Sequence, residues 1–233
     1  MASRITAGAL DALGGFFVAT VHGPDDRPSA PWRPMADLVS DPAPLDARVA
    51  TVRTTLQAGG GPVSTRVAAS VAHLGLVARL LSPALAMRAL LAGTVALKLD
   101  RLWWQGDLGG VYPLSICIGP PARSTDGAVA DLTAFMAGRY RVSPRVLWGN
   151  VASAANGAAR LLAYVRPELG TAALVAADAV LSDSRVEAGS LRAGPAFRRR
   201  SCCLIYQVAA SRTAVSRAAV CEDCVLGPVR AAR

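Results

Sequence analysis

The residues with the most chemistry to offer stand at the end of the chain. Arg198-Arg199-Arg200-Ser201 runs into Cys202-Cys203, and Cys221-Glu222-Asp223-Cys224 follows. Four of the five cysteines thus fall in the last 32 residues, as an adjacent pair and a C-x-x-C. Thiolates are soft ligands, and four of them suit an iron–sulfur cluster or a zinc ion. A C-x-x-C sets two sulfurs on one tight turn. Adjacent side chains in extended backbone point apart, so Cys202 and Cys203 can share one ion only through a local kink. A wider two-iron cluster suits such a pair better, which favours iron–sulfur over zinc. Two plainer readings compete: cysteines as small apolar core residues, and C-x-x-C as a dithiol redox pair. Neither accounts readily for four cysteines gathered beside three arginines.

Composition narrows the class. A chain of 233 residues has room for a sizeable core. The hydrophobic fraction is 52%, with only 5% aromatic residues and a mean hydropathy of +0.35. The most apolar stretch, residues 67–99, is interrupted by Arg79, Arg88 and Lys98, so no membrane span is expected. No signal-peptide pattern opens the sequence, and metal-binding thiolates require reducing surroundings. Together these point to the cytoplasm, with room for peripheral contact at the inner face of the cell membrane. The net charge of +9 would suit nucleic acid, but Lys98 is the only lysine among the 25 basic residues. Arginines scattered through helices fit a codon bias better, so a nucleic-acid partner is disfavoured. No P-loop, G-x-G-x-x-G or Ser/His/Asp set is present, so neither nucleotide nor flavin binding is expected.

The elements that must position the cysteines read as mostly helical. Helices are expected over residues 5–20, 45–57 and 64–81, with a restart at Ser82-Pro83 to about Leu91. Residues 24–44, rich in proline and aspartate, read as a loop or lid. Alternation at Val95, Leu97 and Leu99 predicts a strand, and residues 111–118 a second one closing a hairpin. Cys117 then reads as structural. Arg101, Trp103 and Trp104 at the end of the first strand could line a pocket for a bulky anionic chelate, or simply pack. Helices are expected again over residues 125–136, from Pro144 onwards, and over 171–181. His73 reads as a core histidine, and Trp148 and Asn150 as packing and interhelical hydrogen-bonding residues. The sum is a helix-rich α+β fold: helices on a small antiparallel sheet, closed by a C-terminal cysteine-rich segment.

The Cys-Cys…Cys-x-x-Cys pattern behind basic residues resembles the FhuF-like ferric-siderophore reductases. Leu147-Trp148-Gly149-Asn150-Val151-Ala152-Ser153-Ala154 is similar to that family's Trp-Gly-Asn segment, and residues 66–70 and 99–104 are similar to others. The likeness spans roughly residues 64–226. The 17-residue spacer between Cys203 and Cys221 is longer than the family's, a change that costs little loop entropy.

The resemblance implies that Cys202, Cys203, Cys221 and Cys224 hold a [2Fe-2S] cluster, and that one electron passes from it to Fe(III) in a siderophore such as a ferric hydroxamate. It implies a protein electron donor such as a ferredoxin or flavodoxin. Arg101, Trp103, Trp104, Arg198 and Arg199 become candidate substrate-binding residues, and Arg212 and Arg217 in the spacer could shield the cluster. The expected division is an N-terminal helical region with a proline-rich loop (1–63), a reductase-like core (64–196), a cluster-binding segment (197–226) and a tail (227–233). Two other functions remain open: a zinc-stapled basic binding module, and a [2Fe-2S] electron-transfer or redox-sensing protein without siderophore reductase activity.

Overall fold

The computed structural model describes residues 2–58, 61–91, 95, 97–118, 127–208, 221 and 223–225. Seven α-helices run in the order α1 (Ala2–Asp11), α2 (Asp37–Ser40), α3 (Ala43–Gln57), α4 (Thr65–Leu91), α5 (Gly127–Tyr140), α6 (Pro144–Val165) and α7 (Gly170–Leu181). Four short strands, β1 (Thr20–His22), β2 (Arg33–Pro34), β3 (Leu102–Trp104) and β4 (Leu114–Cys117), form one sheet in the order β1-β4-β3-β2. The fold is helix-rich α+β, as expected, but the sheet is mixed rather than antiparallel. β3 pairs antiparallel with β4 (Leu102 opposite Ile116, Trp104 opposite Leu114) and with β2, whereas β1 lies parallel to β4.

α4 is the axis of the molecule, packed against α3, α5, α6 and α7. Its length and composition would let it cross a membrane, but 78% of its most apolar window is buried inside the protein. Helix α6 approaches it through small residues. Ala152, Ala155 and Ala159 are buried on α6, as are Ala68, Ala69 and Ala72 on α4, and such surfaces let backbones come close. The expected break at Ser82-Pro83 does not occur. Pro83 sits inside α4, and Ser82 Oγ donates to the Ala78 carbonyl at 2.8 Å. Apolar residues packed around Ala84, Leu85 and Met87 offset the lost backbone bond.

The other departures cluster around the sheet. The described residues of this stretch, Val95 and Leu97 to Leu99, do not form a strand, because other segments take the carbonyls of Leu97 and Leu99. The Leu97 carbonyl accepts from Ala128 N at the start of α5, and the Leu99 carbonyl from Ala36 N. The strand begins at Leu102 instead. The proline-rich segment is not a free lid, since it supplies β2 and is anchored by fully buried Met35 and Leu38. Pro34 sits on the edge strand, where its missing N–H is tolerated. At the far side, Asp46 of α3 forms an ion pair with Arg139 and accepts from Tyr140 Oη at 2.8 Å, tying α3 to α5.

His73 is fully buried on α4, with Nε2 hydrogen-bonded to Thr133 Oγ1 of α5 at 3.0 Å. Burial lowers its pKa from 6.5 to about 3. As pH falls, the unfolded chain therefore takes up this proton first. Stability from this site is intact above pH 6.5, declines down to about 3 and then levels off. Between pH 6.5 and 4.5 the site should cost about 2–3 kcal/mol of unfolding free energy. Denaturant titrations of wild type and His73→Gln check this, because the variant should show the shallower pH slope. Equal slopes would contradict it.

Candidate metal centre

The cysteine segment is built onto the start of α6 and the first turns of α4 through one buried chain of hydrogen bonds. Asn150 of α6 donates from Nδ2 to the Ser70 carbonyl at 2.9 Å and to Ser70 Oγ at 3.1 Å. Ser70 Oγ donates to the Cys203 carbonyl at 2.9 Å. Arg199 Nη2 donates to Asn150 Oδ1 at 2.9 Å, and Arg199 Nε to the Ser201 carbonyl at 2.6 Å. Arg199 N also donates to the Asp223 carbonyl at 3.2 Å, while the Asp223 carboxylate accepts from Ser153 Oγ of α6. Both cysteine motifs are therefore held by the same stretch of α6.

That stretch explains the Trp-Gly-Asn sequence residue by residue. Trp148 turns outward, with the Arg185 guanidinium 4.5 Å above its ring. Gly149 makes room for Ser201, since a Cβ there would lie 1.9 Å from Ser201 Oγ and 3.2 Å from Arg199 Nη2. Asn150 turns inward as the interhelical hydrogen-bonder expected from the sequence. Ser70, Ser153, Ser201 and Asp223 carry the rest of the support. Serines have too many ordinary uses for their types alone to have marked them.

The sulfurs stand in two pairs that cross between the motifs. Cys203 Sγ lies 3.0 Å from Cys221 Sγ, and Cys202 interacts with Cys224. The backbone turns sharply just after the adjacent pair. Leu204 adopts a left-handed φ of 71°, and its N–H donates to Cys202 Sγ at 3.3 Å. Such a conformation costs a leucine on the order of 1 kcal/mol. The hydrogen bond from Cys221 lowers the Cys203 pKa, with Arg199 adding to the effect, and the same bond raises that of Cys221. Burial raises that of Cys202.

Among the described residues, no group of three or more His, Cys, Asp or Glu stands at metal-ligand spacing. The 3.0 Å sulfur contact is shorter than the roughly 3.7 Å between two thiolates on one tetrahedral metal with bonds of about 2.3 Å. The donors and their surroundings nevertheless fit an anionic thiolate centre. Arg199 is 1% exposed, it has no carboxylate within ion-pair distance among the described residues, and its Nη1 has no hydrogen-bond partner there. A buried guanidinium needs negative charge nearby. Its positive charge acts on both Cys203 and Cys221, against the opposing negative charge of Asp223. The arrangement can hold a soft metal, or join Cys203 to Cys221 as a disulfide on oxidation.

The other residues selected from the sequence divide. Arg199 lies beneath the cysteines rather than on the surface, so it is a buttress and not a substrate contact. Arg198 is half-buried beside it and Arg200 exposed, the alternation of an extended chain. Arg101, Trp103 and Trp104 belong to the sheet. Trp103 stacks on His22 at 3.6 Å between ring centroids, Trp104 is 2% exposed with Arg33 over its ring, and Arg101 Nη1 lies 3.8 Å from Cys117 Sγ. Arg79, which binds the Tyr112 carbonyl beside the sheet, is nine residues along α4 from Ser70, about 13 Å of helix. The structure does not bring this trio to the cysteines. Cys117 is buried on β4 beside Arg101. Arg212, Arg217, Glu222 and the expected tail fall outside the described residues.

No known protein family matches the chain, and no curated protein matches it.

Gly149→Ala should lower unfolding free energy by about 1–3 kcal/mol through overpacking, a melting-temperature loss of roughly 2–12 °C. Adding Ser201→Gly should restore most of it. Calorimetry of the single and double variants checks the contact, and a single variant with unchanged melting would contradict it.

Proposed function

We propose that this protein carries a [2Fe-2S] cluster on Cys202, Cys203, Cys221 and Cys224 and reduces Fe(III) in a ferric siderophore by one electron, in the cytoplasm. The observation that carries the reading is the buried Arg199, with no carboxylate at ion-pair distance among the described residues, set against crossed pairs of thiols. The resemblance of the cysteine pattern and the Trp-Gly-Asn segment to the FhuF-like reductases supplies the choice of cluster and substrate. When bound, the cluster supplies one-electron chemistry at low potential.

The chain's own residues would do the rest. The four thiols lose their protons on binding metal, and Arg199 offsets the negative charge that results. Hydrogen bonding and charge around the sulfurs tune the potential, so the Ser70–Asn150–Arg199 chain sets both the position of the sulfurs and the ease of reduction. The substrate chemistry follows from hard and soft donors. Siderophore oxygens hold Fe(III) tightly and Fe(II) far more weakly, so a single electron makes the iron releasable. No nucleotide or flavin motif is visible, so the electron would come from a ferredoxin- or flavodoxin-type protein.

The 3.0 Å Cys203–Cys221 contact favours a second reading, a dithiol protein in which two thiols give up two electrons and two protons to form a disulfide. Anaerobic titration separates the two. Reduced protein mixed with a ferric chelate should regain its oxidised visible spectrum at one electron per cluster, with Fe(II) trapped by a ferrous chelator. Serine at Cys202, Cys203, Cys221 or Cys224 should abolish or severely disturb the spectrum, whereas Cys117→Ser should retain it. A coloured protein that the chelate does not reoxidise would contradict the reductase. A colourless one that forms a Cys203–Cys221 disulfide would replace it with the dithiol.

A further inference from the structure

Four thiols that serve two metal ions must divide into couples, and three divisions are possible: one within the motifs and two that cross between them. The contacts between the sulfurs decide among these. Cys203 Sγ lies 3.0 Å from Cys221 Sγ, and Cys202 is hydrogen-bonded to Cys224. No third His, Cys, Asp or Glu joins either couple at metal-ligand spacing among the described residues. The backbone explains the crossing. Adjacent side chains in extended chain point apart, and successive amides here serve different sulfurs. Leu204 N donates to Cys202 Sγ at 3.3 Å, and the Ile205 amide hydrogen-bonds Cys203. Successive N–H groups around a left-handed residue, here Leu204 with φ 71°, form a concavity suited to anions such as thiolates. On the other motif Cys224 N donates to the Cys221 carbonyl at 3.0 Å and closes the C-x-x-C turn. Arg199 N then joins the two segments through the Asp223 carbonyl at 3.2 Å, while Ser70 Oγ holds the Cys203 carbonyl at 2.9 Å. The facing of the two motifs is thus fixed by protein contacts.

We infer that the four thiols act as crossed couples, Cys203 with Cys221 and Cys202 with Cys224, so that each iron spans both motifs. The centre is then a double staple. Each metal ties the segment behind the arginine run to the C-x-x-C and closes the 17-residue spacer between them. In the metal-free chain the same couples are two prospective disulfides. Each forms when two thiols give two protons and two electrons to an oxidant such as the azo compound diamide, which becomes the hydrazine.

The inference rests on the iron–sulfur reading for the metal and on the sulfur contacts for the pairing, and the test separates the two. Reduced, metal-free, full-length protein receives equimolar diamide, and the remaining thiols are alkylated at once. After reduction the released pair takes a second alkyl group of different mass, and fragment-ion mass spectrometry locates both labels. The second label should fall on Cys203 together with Cys221, or on Cys202 together with Cys224, with Cys117 always among the unreacted thiols. Double variants repeat the reading by rate. Cys202→Ser/Cys224→Ser and Cys203→Ser/Cys221→Ser, which each keep one couple, should oxidise at least about tenfold faster than Cys202→Ser/Cys221→Ser and Cys203→Ser/Cys224→Ser, because proximity sets the rate. In iron-loaded protein, selenocysteine placed at Cys203 or at Cys221 should perturb the same iron in the Mössbauer spectrum of the reduced form. Placed at Cys202 or at Cys224 it should perturb the other. A second label on Cys202 with Cys203, on Cys221 with Cys224 or on Cys203 with Cys224 would overturn the inference. So would equal rates across the double variants, or one iron perturbed from both Cys202 and Cys203. Crossed labelling in a protein that holds no iron would sustain the couples and remove the cluster.

Discussion

A buried guanidinium with no carboxylate at ion-pair distance among the described residues is the constraint on which the C-terminal third of this molecule depends. Removing the Arg199 charge from water costs several kcal/mol unless something replaces the solvent. Neutral groups do so in part: the amide oxygen of Asn150, the carbonyl of Ser201, and through its own N–H the backbone of Asp223. The nearby sulfurs are the groups on which its charge acts. Thiolate character at Cys203 and negative charge on any centre the four cysteines hold are both favoured by the same cation. Support and chemistry are thereby coupled, because whatever moves Arg199 also changes the charge balance at the sulfurs.

The larger fold makes that arrangement possible. The cysteine segment has little regular structure of its own, so its position must come from contact with something rigid. Small residues let α4 and α6 lie close enough for Asn150 to span them, and Gly149 lets Ser201 press against α6. The cation then reaches the space between the two cysteine motifs. A second buried arginine shows the contrast. Arg79, at the sheet end of α4, is satisfied by the carbonyls of Phe16, Val18 and Tyr112 and has no chemistry beside it. The two buried cations thus serve different ends, one closing the sheet against the core and one facing thiols.

Much of this could be read from the sequence, for identifiable reasons. Helical periodicity located α3, α5, α6 and α7, and the clustering of cysteines marked the centre, because both signals are local. The course of α4 through Pro83 was not legible, since burial along the whole helix outweighs a local breaker. The hairpin was legible, since β3 and β4 fall within the two expected strands, but its first strand starts only at Leu102 because hydrogen bonds from distant segments take the carbonyls of Leu97 and Leu99. The parallel β1 edge and the anchoring of the proline-rich segment are likewise long-range. In the centre itself, types and spacing picked out the four cysteines and the arginine run. They did not reveal that the sulfurs pair across the motifs, or that the middle arginine turns inward while its neighbours are more exposed. Arg101 and Trp103, read from the sequence as lining a pocket or as packing, stand on or beside the sheet, where Trp103 stacks on His22 and Arg101 lies by Cys117.

The most direct test of the account is iron and acid-labile sulfide analysis with iron-edge X-ray absorption on protein purified without oxygen. The account requires two irons and two sulfides per chain, with a first shell of sulfur alone, and loss of that signal when Cys203 or Cys221 is serine. A zinc-loaded protein, a first shell containing nitrogen or oxygen, or a metal-free chain with Cys203 joined to Cys221 would contradict it.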